Sequence, residues 1–164
     1  MRLQEHQRVR LPPRLDGSSV PAAREELFAA IDRAAGDVVV DVSGVELPVR
    51  VVREGTFGKL SSDAATPLAM VLTELLQNAV EHGYADLPDR TEGRVVVTAR
   101  RIVGRLHVVV EDDGRGLPEG FDLDGSTQLG LSIVRTLVES ELGGVLEIGP
   151  GTRGTRVQAD LPAD

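Results

Sequence analysis

Residues 73–83 read T-E-L-L-Q-N-A-V-E-H-G, residues 112–116 read D-D-G-R-G, and residues 129–138 read L-G-L-S-I-V-R-T-L-V. Each segment carries residue types that can do chemistry on a phosphorylated ligand. On a helix, Glu74, Asn78 and His82 fall at i, i+4 and i+8 and share one face. The Asn78 amide oxygen is a hard ligand suited to Mg2+, which also takes phosphate oxygens and keeps several waters. Glu74, one turn earlier, can orient or deprotonate a hydroxyl or water. His82 either touches phosphate or caps the helix C-terminus, where a cationic His is favoured. Taken alone, the same triplet could also be a solvated polar stripe.

The second segment sits in E-D-D-G-R-G-L-P, residues 111–118. Gly114 and Gly116 permit positive φ and close ligand approach. A carboxylate fixed before such a turn can accept a hydrogen bond from an adenine amino group. Asp112 and Asp113 are both candidates for it. An acidic hairpin turn is the plainer alternative. A calcium loop is excluded, because the alternating ligands and distal Glu are missing. In the third segment, Gly130 can bring N–H groups against phosphates, helped by the helix dipole. A routine helix entry capped by Ser126 or Thr127 would look the same. Arg135 is either a solvated helix residue or a phosphate ligand. Gly154-Thr155, before the last strand, either places a hydroxyl near the adenine or is simply a tight turn.

These segments need elements to hold them. A helix over residues 63–82 would carry the first, opened by Ser62 or Asp63 and ended by Gly83. Residues 94–102 and 105–111 alternate as a hairpin around Val103-Gly104, which delivers the second segment at its end. A helix over about 128–142, stopped by Gly143-Gly144, carries the third. Strands at 145–148 and 154–161 flank the turn G-P-G-T-R-G. Upstream, strands are expected at 8–12, 37–42 and 47–53, with a helix over 19–35. The order strand, helix, hairpin, helix, hairpin gives a two-layer α/β sandwich. Its sheet is mixed and mostly antiparallel, with the helices on one face. A Rossmann reading is weak, since no βαβ rhythm runs through residues 47–164.

Bulk composition narrows the partners. The chain has 164 residues, 41% of them hydrophobic, which suffices for a packed core. Aromatic residues make up only 2%, so base stacking on single-stranded nucleic acid is not available. A net charge of −8 argues against nucleic acid or an anionic membrane as partner. It leaves an ATP site open, because phosphate charge is met locally by metal and backbone N–H groups. There is no cysteine, so thiolate metal sites and disulfides are out. No signal-peptide h-region and no run near the ~18–20 apolar residues of a membrane span is present. A soluble, cytoplasmic protein is expected.

Residues 47–164 resemble the ATP-binding catalytic domain of bacterial sensor histidine kinases. That domain belongs to the Bergerat-fold (GHKL) superfamily shared with gyrase, Hsp90 and MutL. L-T-E-L-L-Q-N-A-V-E-H-G resembles the N box, E-D-D-G-R-G-L-P the G1 box and Q-L-G-L-S-I-V the G2 box, with Gly154-Thr155 as the terminal G-T. The resemblance implies that Asn78 holds Mg2+ and acts in catalysis with Glu74, and that Asp112 binds adenine. His82, Gly114, Gly116, Leu117, Leu129, Gly130 and Leu131 would line the nucleotide, with Thr155 beside the base. The run from Leu129 to Gly144 is similar to actinobacterial soluble two-component kinases whose response regulators bind RNA.

Two features depart from the pattern. Gln128 stands where the G2 box has its first glycine. No phosphoacceptor box is found, and only His6, in a short charged stretch before two prolines, precedes the domain. Phosphoryl transfer would then go in trans to a protein carrying the acceptor His, or transfer activity has been lost. A response regulator, a STAS protein and a second copy in a homodimer are the further partners implied. An anti-sigma-factor serine/threonine kinase of the same fold, or a non-catalytic ATP-dependent interaction module, is the alternative. Residues 8–46 are similar to the first half of a STAS domain, so the chain divides into an arm, 1–46, and an ATPase domain, 47–164.

Overall fold

The computed structural model describes residues 7–11, 38–42, 49–84, 87, 92–123 and 129–163. The helix expected over 19–35, His6, Gln128 and the caps Ser126 and Thr127 lie outside the described residues. The elements run β1 (Gln7–Leu11), β2 (Val38–Val42), β3 (Val49–Gly55), α1 (Ser62–Gly83), β4 (Gly93–Ile102) and β5 (Arg105–Asp112). They continue with α2 (Leu129–Thr136), a π-helical turn (Leu137–Glu141), β6 (Val145–Pro150) and β7 (Thr155–Pro162). The strands form one mixed sheet in the order β1-β2-β3-β4-β5-β7-β6. β1 with β2 and β3 with β4 pair in parallel, and the other neighbours are antiparallel. The first two strands thus extend the sheet beside β3.

Period-two burial fixes which face meets the helices. Val95, Val97 and Ala99 of β4, Leu106, Val108 and Val110 of β5, and Val157, Ala159 and Leu161 of β7 are all buried. Their strand neighbours turn to the opposite face. The hairpin between β4 and β5 closes on Val103 and Gly104, both at positive φ (30° and 71°), the pair of conformations that a type I′ turn requires.

α1 starts after Ser61, whose carbonyl accepts the N–H groups of Ala64 and Ala65. Leu68, Val71, Leu72, Leu75, Leu76, Ala79 and Val80 form its buried stripe, with the three- and four-residue spacing of a one-sided helix. Thr73 is buried as well, and its hydroxyl donates to the Ala69 carbonyl at 2.8 Å. The second helix is not α-helical throughout. After Thr136 it widens into a π turn, in which the Leu142 N–H reaches the Leu137 carbonyl at 2.9 Å. Gly143, at φ 60°, then ends it, and the Gly144 N–H returns to the Val138 carbonyl. Val134 and Val138 are buried against the sheet.

Candidate functional site

The alternation of β5 decides the direction of three consecutive carboxylates. Asp112 continues the series Leu106, Val108, Val110 onto the helix-facing side and is only 6% exposed. Its Oδ1 accepts the N–H of Gly114 at 2.9 Å and that of Thr155 at 3.3 Å. Burial pushes the Asp112 carboxyl above its ordinary value of 3.8, although both N–H groups pull it down.

Glu111 points the other way. It accepts the Thr152 N–H at 2.8 Å and Arg156 Nη1 at 3.1 Å. The Thr152 contact, with Arg156 behind it, holds the Glu111 carboxyl below the usual carboxylate range.

Asp113 lies just past the strand and ties down the end of α1. Its Oδ1 accepts the Tyr84 hydroxyl at 2.7 Å and the Arg94 N–H at 2.9 Å. The Arg94 carbonyl is also 2.7 Å from the Tyr84 oxygen, so one phenolic proton serves two acceptors. Burial, then the Asp113 hydrogen bond, pushes the Tyr84 phenol up. We expect Tyr84→Phe to lower unfolding stability by about 1.5–3 kcal/mol, the usual cost of losing a hydrogen bond to a charged group. Urea denaturation measures it, and an unchanged midpoint would leave this contact without energetic weight.

Backbone crowding explains the glycines around Asp112. A Cβ on Gly154 would lie 2.2 Å from Asp112 Oδ1, and one on Gly114 would lie 2.3 Å from the Gly83 carbonyl oxygen. No side chain fits either place, so these glycines let the β6–β7 turn and the end of α1 close on the carboxylate.

In front of Asp112 opens a cavity of about 420 Å³. Leu75, Ala79, Val110, Leu131, Ile148 and Val157 give it apolar walls. Its polar groups are Asn78, His82, Asp112, Arg115 and Thr155. A mostly apolar cleft with a few converging polar groups is the usual form of a small-molecule site. A wider depression of about 710 Å³ lies on the opposite sheet face, between Arg100, His107, Arg153 and Arg156. It is rimmed by charged side chains, and Val96, Ile102 and Val109 give it only a small apolar floor.

Of the residues singled out in the sequence, Asn78, His82, Asp112, Gly116, Leu117, Leu131 and Thr155 line the cavity. Glu74 and Gly130 stand at its side. A Cβ on Gly130 would lie 3.2 Å from Glu74 Oε2 and 3.5 Å from Asn78 Oδ1, so the start of α2 faces this pair directly. Gly114 lies behind Asp112, and Leu129 is the first residue of α2. Arg135 pairs with Glu139 at 3.1 Å one turn along the helix surface. The three segments therefore converge on one place.

Arg115, Phe121, Ile148 and Val157 also line the cavity but are not legible as site residues in the sequence. For Val157 the strand alternation was an available signal. Phe121 and Arg115 sit in a loop with no period to read.

Asn78 Nδ2 is buried without a hydrogen-bond partner. Among the described residues no group of three or more His, Cys, Asp or Glu side chains is arranged to hold a metal. No helix among the described residues is long and apolar enough to cross a membrane.

Residues 63–164 match the family described as histidine kinase-, DNA gyrase B-, and HSP90-like ATPase. The chain belongs to this ATPase family. It is 49% identical over 137 residues to the sensor histidine kinase PdtaS of Mycobacterium tuberculosis, a match covering 83% of this chain and 27% of that protein. A blue-light-activated histidine kinase of Erythrobacter litoralis is 35% identical over 131 residues, or 79% of this chain and 33% of the relative. The solved blue-light activated histidine kinase of that organism superposes with a TM-score of 0.65 at 32% identity, covering 86% of this chain and 41% of that one. The chain therefore spans about a quarter to a third of the length of these curated relatives. The family match starts one residue into α1, so it takes in all three segments and the whole cavity.

Proposed function

We propose that this chain is the ATP-binding catalytic part of a two-component sensor histidine kinase. It would transfer the γ-phosphoryl group of ATP to a histidine of a protein. The observation that carries this reading is Asp112, buried with Oδ1 anchored by two N–H groups and Oδ2 left for a ligand in an apolar cleft. That oxygen would accept the adenine amino group. Val110, Leu131, Ile148 and Val157 would enclose the base. The likeness to PdtaS supports the kinase assignment.

Asn78 fits a Mg2+ site on one observation, its buried amide without a partner. The amide can present its oxygen as readily as its nitrogen, since the two ends are interchangeable in shape. Mg2+, when bound, would neutralise phosphate charge. Gly130 would let the N–H groups at the start of α2 approach the phosphates. Glu74, beside Asn78, would take the proton released by the attacking imidazole. The bond from the γ phosphorus to the β-bridging oxygen breaks, a nitrogen–phosphorus bond forms, and ADP leaves. Positioning and charge stabilisation would supply most of the rate, as is general for phosphoryl transfer. The acceptor histidine, a response regulator and residues 1–46 as an appended arm complete the proposal.

Incubation with γ-labelled ATP, Mg2+ and candidate acceptor proteins tests it. Acid-labile, base-stable label on a partner is the expected result. Acid-stable label would point instead to a serine/threonine kinase, and binding without transfer to a nucleotide-dependent interaction module. Absence of ATP binding would remove the assignment altogether.

A further inference from the structure

The turn between β6 and β7 forms the wall behind Asp112. Within the turn, the Gly151 N–H donates to the Gly154 carbonyl at 2.8 Å. Gly154 packs directly on the Asp112 carboxyl, and Thr155 donates its N–H to Asp112 Oδ1. The outer anchor is Glu111, the preceding residue in the strand. One carboxylate oxygen takes the Thr152 N–H at 2.8 Å and the other takes Arg156 Nη1 at 3.1 Å. Gly151 lies against the same side chain, where a Cβ would be 3.1 Å from Glu111 Cγ. Glu111 thus grips the turn on both sides of Gly154, and Gly154 and Thr155 fix the rotation of Asp112 together with the Gly114 N–H, which donates to the same oxygen at 2.9 Å. A carboxylate with one oxygen pinned offers its other oxygen in a single direction.

We infer that Glu111 is a positioning residue for base selection, holding the 151–154 turn so that Asp112 stays aimed at the base edge. The inference rests on the proposed adenine role of Asp112. A fixed carboxylate accepts from the 6-amino group of adenine and repels the 6-oxygen of guanine. A carboxylate free to rotate loses the first interaction and escapes the second. Loosening the turn should therefore narrow the preference for ATP over GTP, which a loss of general stability would not do.

The experiment titrates Mg-ATP and Mg-GTP by calorimetry, well below the melting temperature, into the chain and its variants. Glu111→Ala is expected to lower the ATP-to-GTP affinity ratio about tenfold. Glu111→Gln retains an acceptor for the Thr152 N–H and should stay within about threefold of the original ratio. Arg156→Gln removes the second Glu111 contact, along with a long 3.4 Å bond to Gln158, and should lower the ratio about threefold; it carries the test if Glu111→Ala does not fold. A lower melting temperature with an unchanged ratio in Glu111→Ala and Arg156→Gln overturns the inference, as does Glu111→Gln losing as much as Glu111→Ala. If the unmodified chain itself shows no preference for ATP, the adenine role of Asp112 fails first.

Discussion

Asn78→Ala is expected to abolish the dependence of ATP binding on Mg2+. In the presence of the ion, affinity should fall about a hundredfold or more, some 2.7 kcal/mol at tenfold per ~1.4 kcal/mol. The geometry makes Asn78 hard to replace. It faces the start of α2 across Gly130, and no group of three or more acidic, histidine or cysteine side chains among the described residues is arranged to take over a metal. The loss should not come from unfolding. Burying an amide nitrogen without a partner costs roughly 1–3 kcal/mol, and alanine removes that atom. Alanine is also the better helix former in α1 by about half a kcal/mol. The apo variant should therefore be no less stable than the original. Titrations with and without Mg2+ decide the matter. If Asn78→Ala binds ATP with the same Mg2+ dependence as the original chain, Asn78 does not hold the metal.

Much of this site was legible because its parts obey strong local rules. The stripe from Leu68 to Val80 gives a helix, and its period places Glu74, Asn78 and His82 on one side. The expected span, 63–82, differs from α1 by one residue at each end. The hairpin at Val103-Gly104 follows from two alternating runs with a turn between them. Alternation also tells the two Asp residues apart by the face each takes. Counting by twos from Leu106 reaches Asp112, while Asp113 falls on the opposite phase.

Other features depended on tertiary contacts that no local pattern announces. Tyr84 lies just past Gly83, the expected end of the first helix, yet it is buried and bonded to Asp113 across the fold. The π turn at Leu137–Glu141 sits in a sequence with good helical periodicity, and only the packing of the last turn reveals it. Glu111 looks like one acid among three until the 151–154 turn is placed beside it. The pairing of β1 with β2, and of β2 with β3, could not be read from two short valine-bearing runs.

Asp112→Asn should separate stability from binding. Asparagine keeps an oxygen for the Gly114 and Thr155 N–H groups, so the anchored side of the residue survives. Its NH2 then takes the place of the free carboxylate oxygen, and two donors face each other at the adenine amino group. Each unsatisfied buried donor costs about 1–3 kcal/mol, so ATP affinity should fall about a hundredfold. GTP should lose much less, since its 6-oxygen can accept from the new donor.

Protonation makes the same change reversibly. Protonated Asp112 also presents a donor, so ATP affinity of the original chain should decline as pH falls through the raised pKa, above the ordinary 3.8. The affinity of Asp112→Asn should be flat across that window. Stability runs the opposite way. A carboxyl whose folded pKa is raised favours the fold when protonated. That contribution is fully present below the unfolded pKa and is lost as pH rises through the folded one. Above its raised pKa the ionised, buried Asp112 therefore costs stability in the absence of ligand, and Asp112→Asn should melt no lower than the original while binding ATP far more weakly. Thermal melts and calorimetric titrations between mildly acidic and neutral pH measure both. A variant that melts lower and keeps its ATP affinity would make Asp112 a structural carboxylate and move the adenine elsewhere.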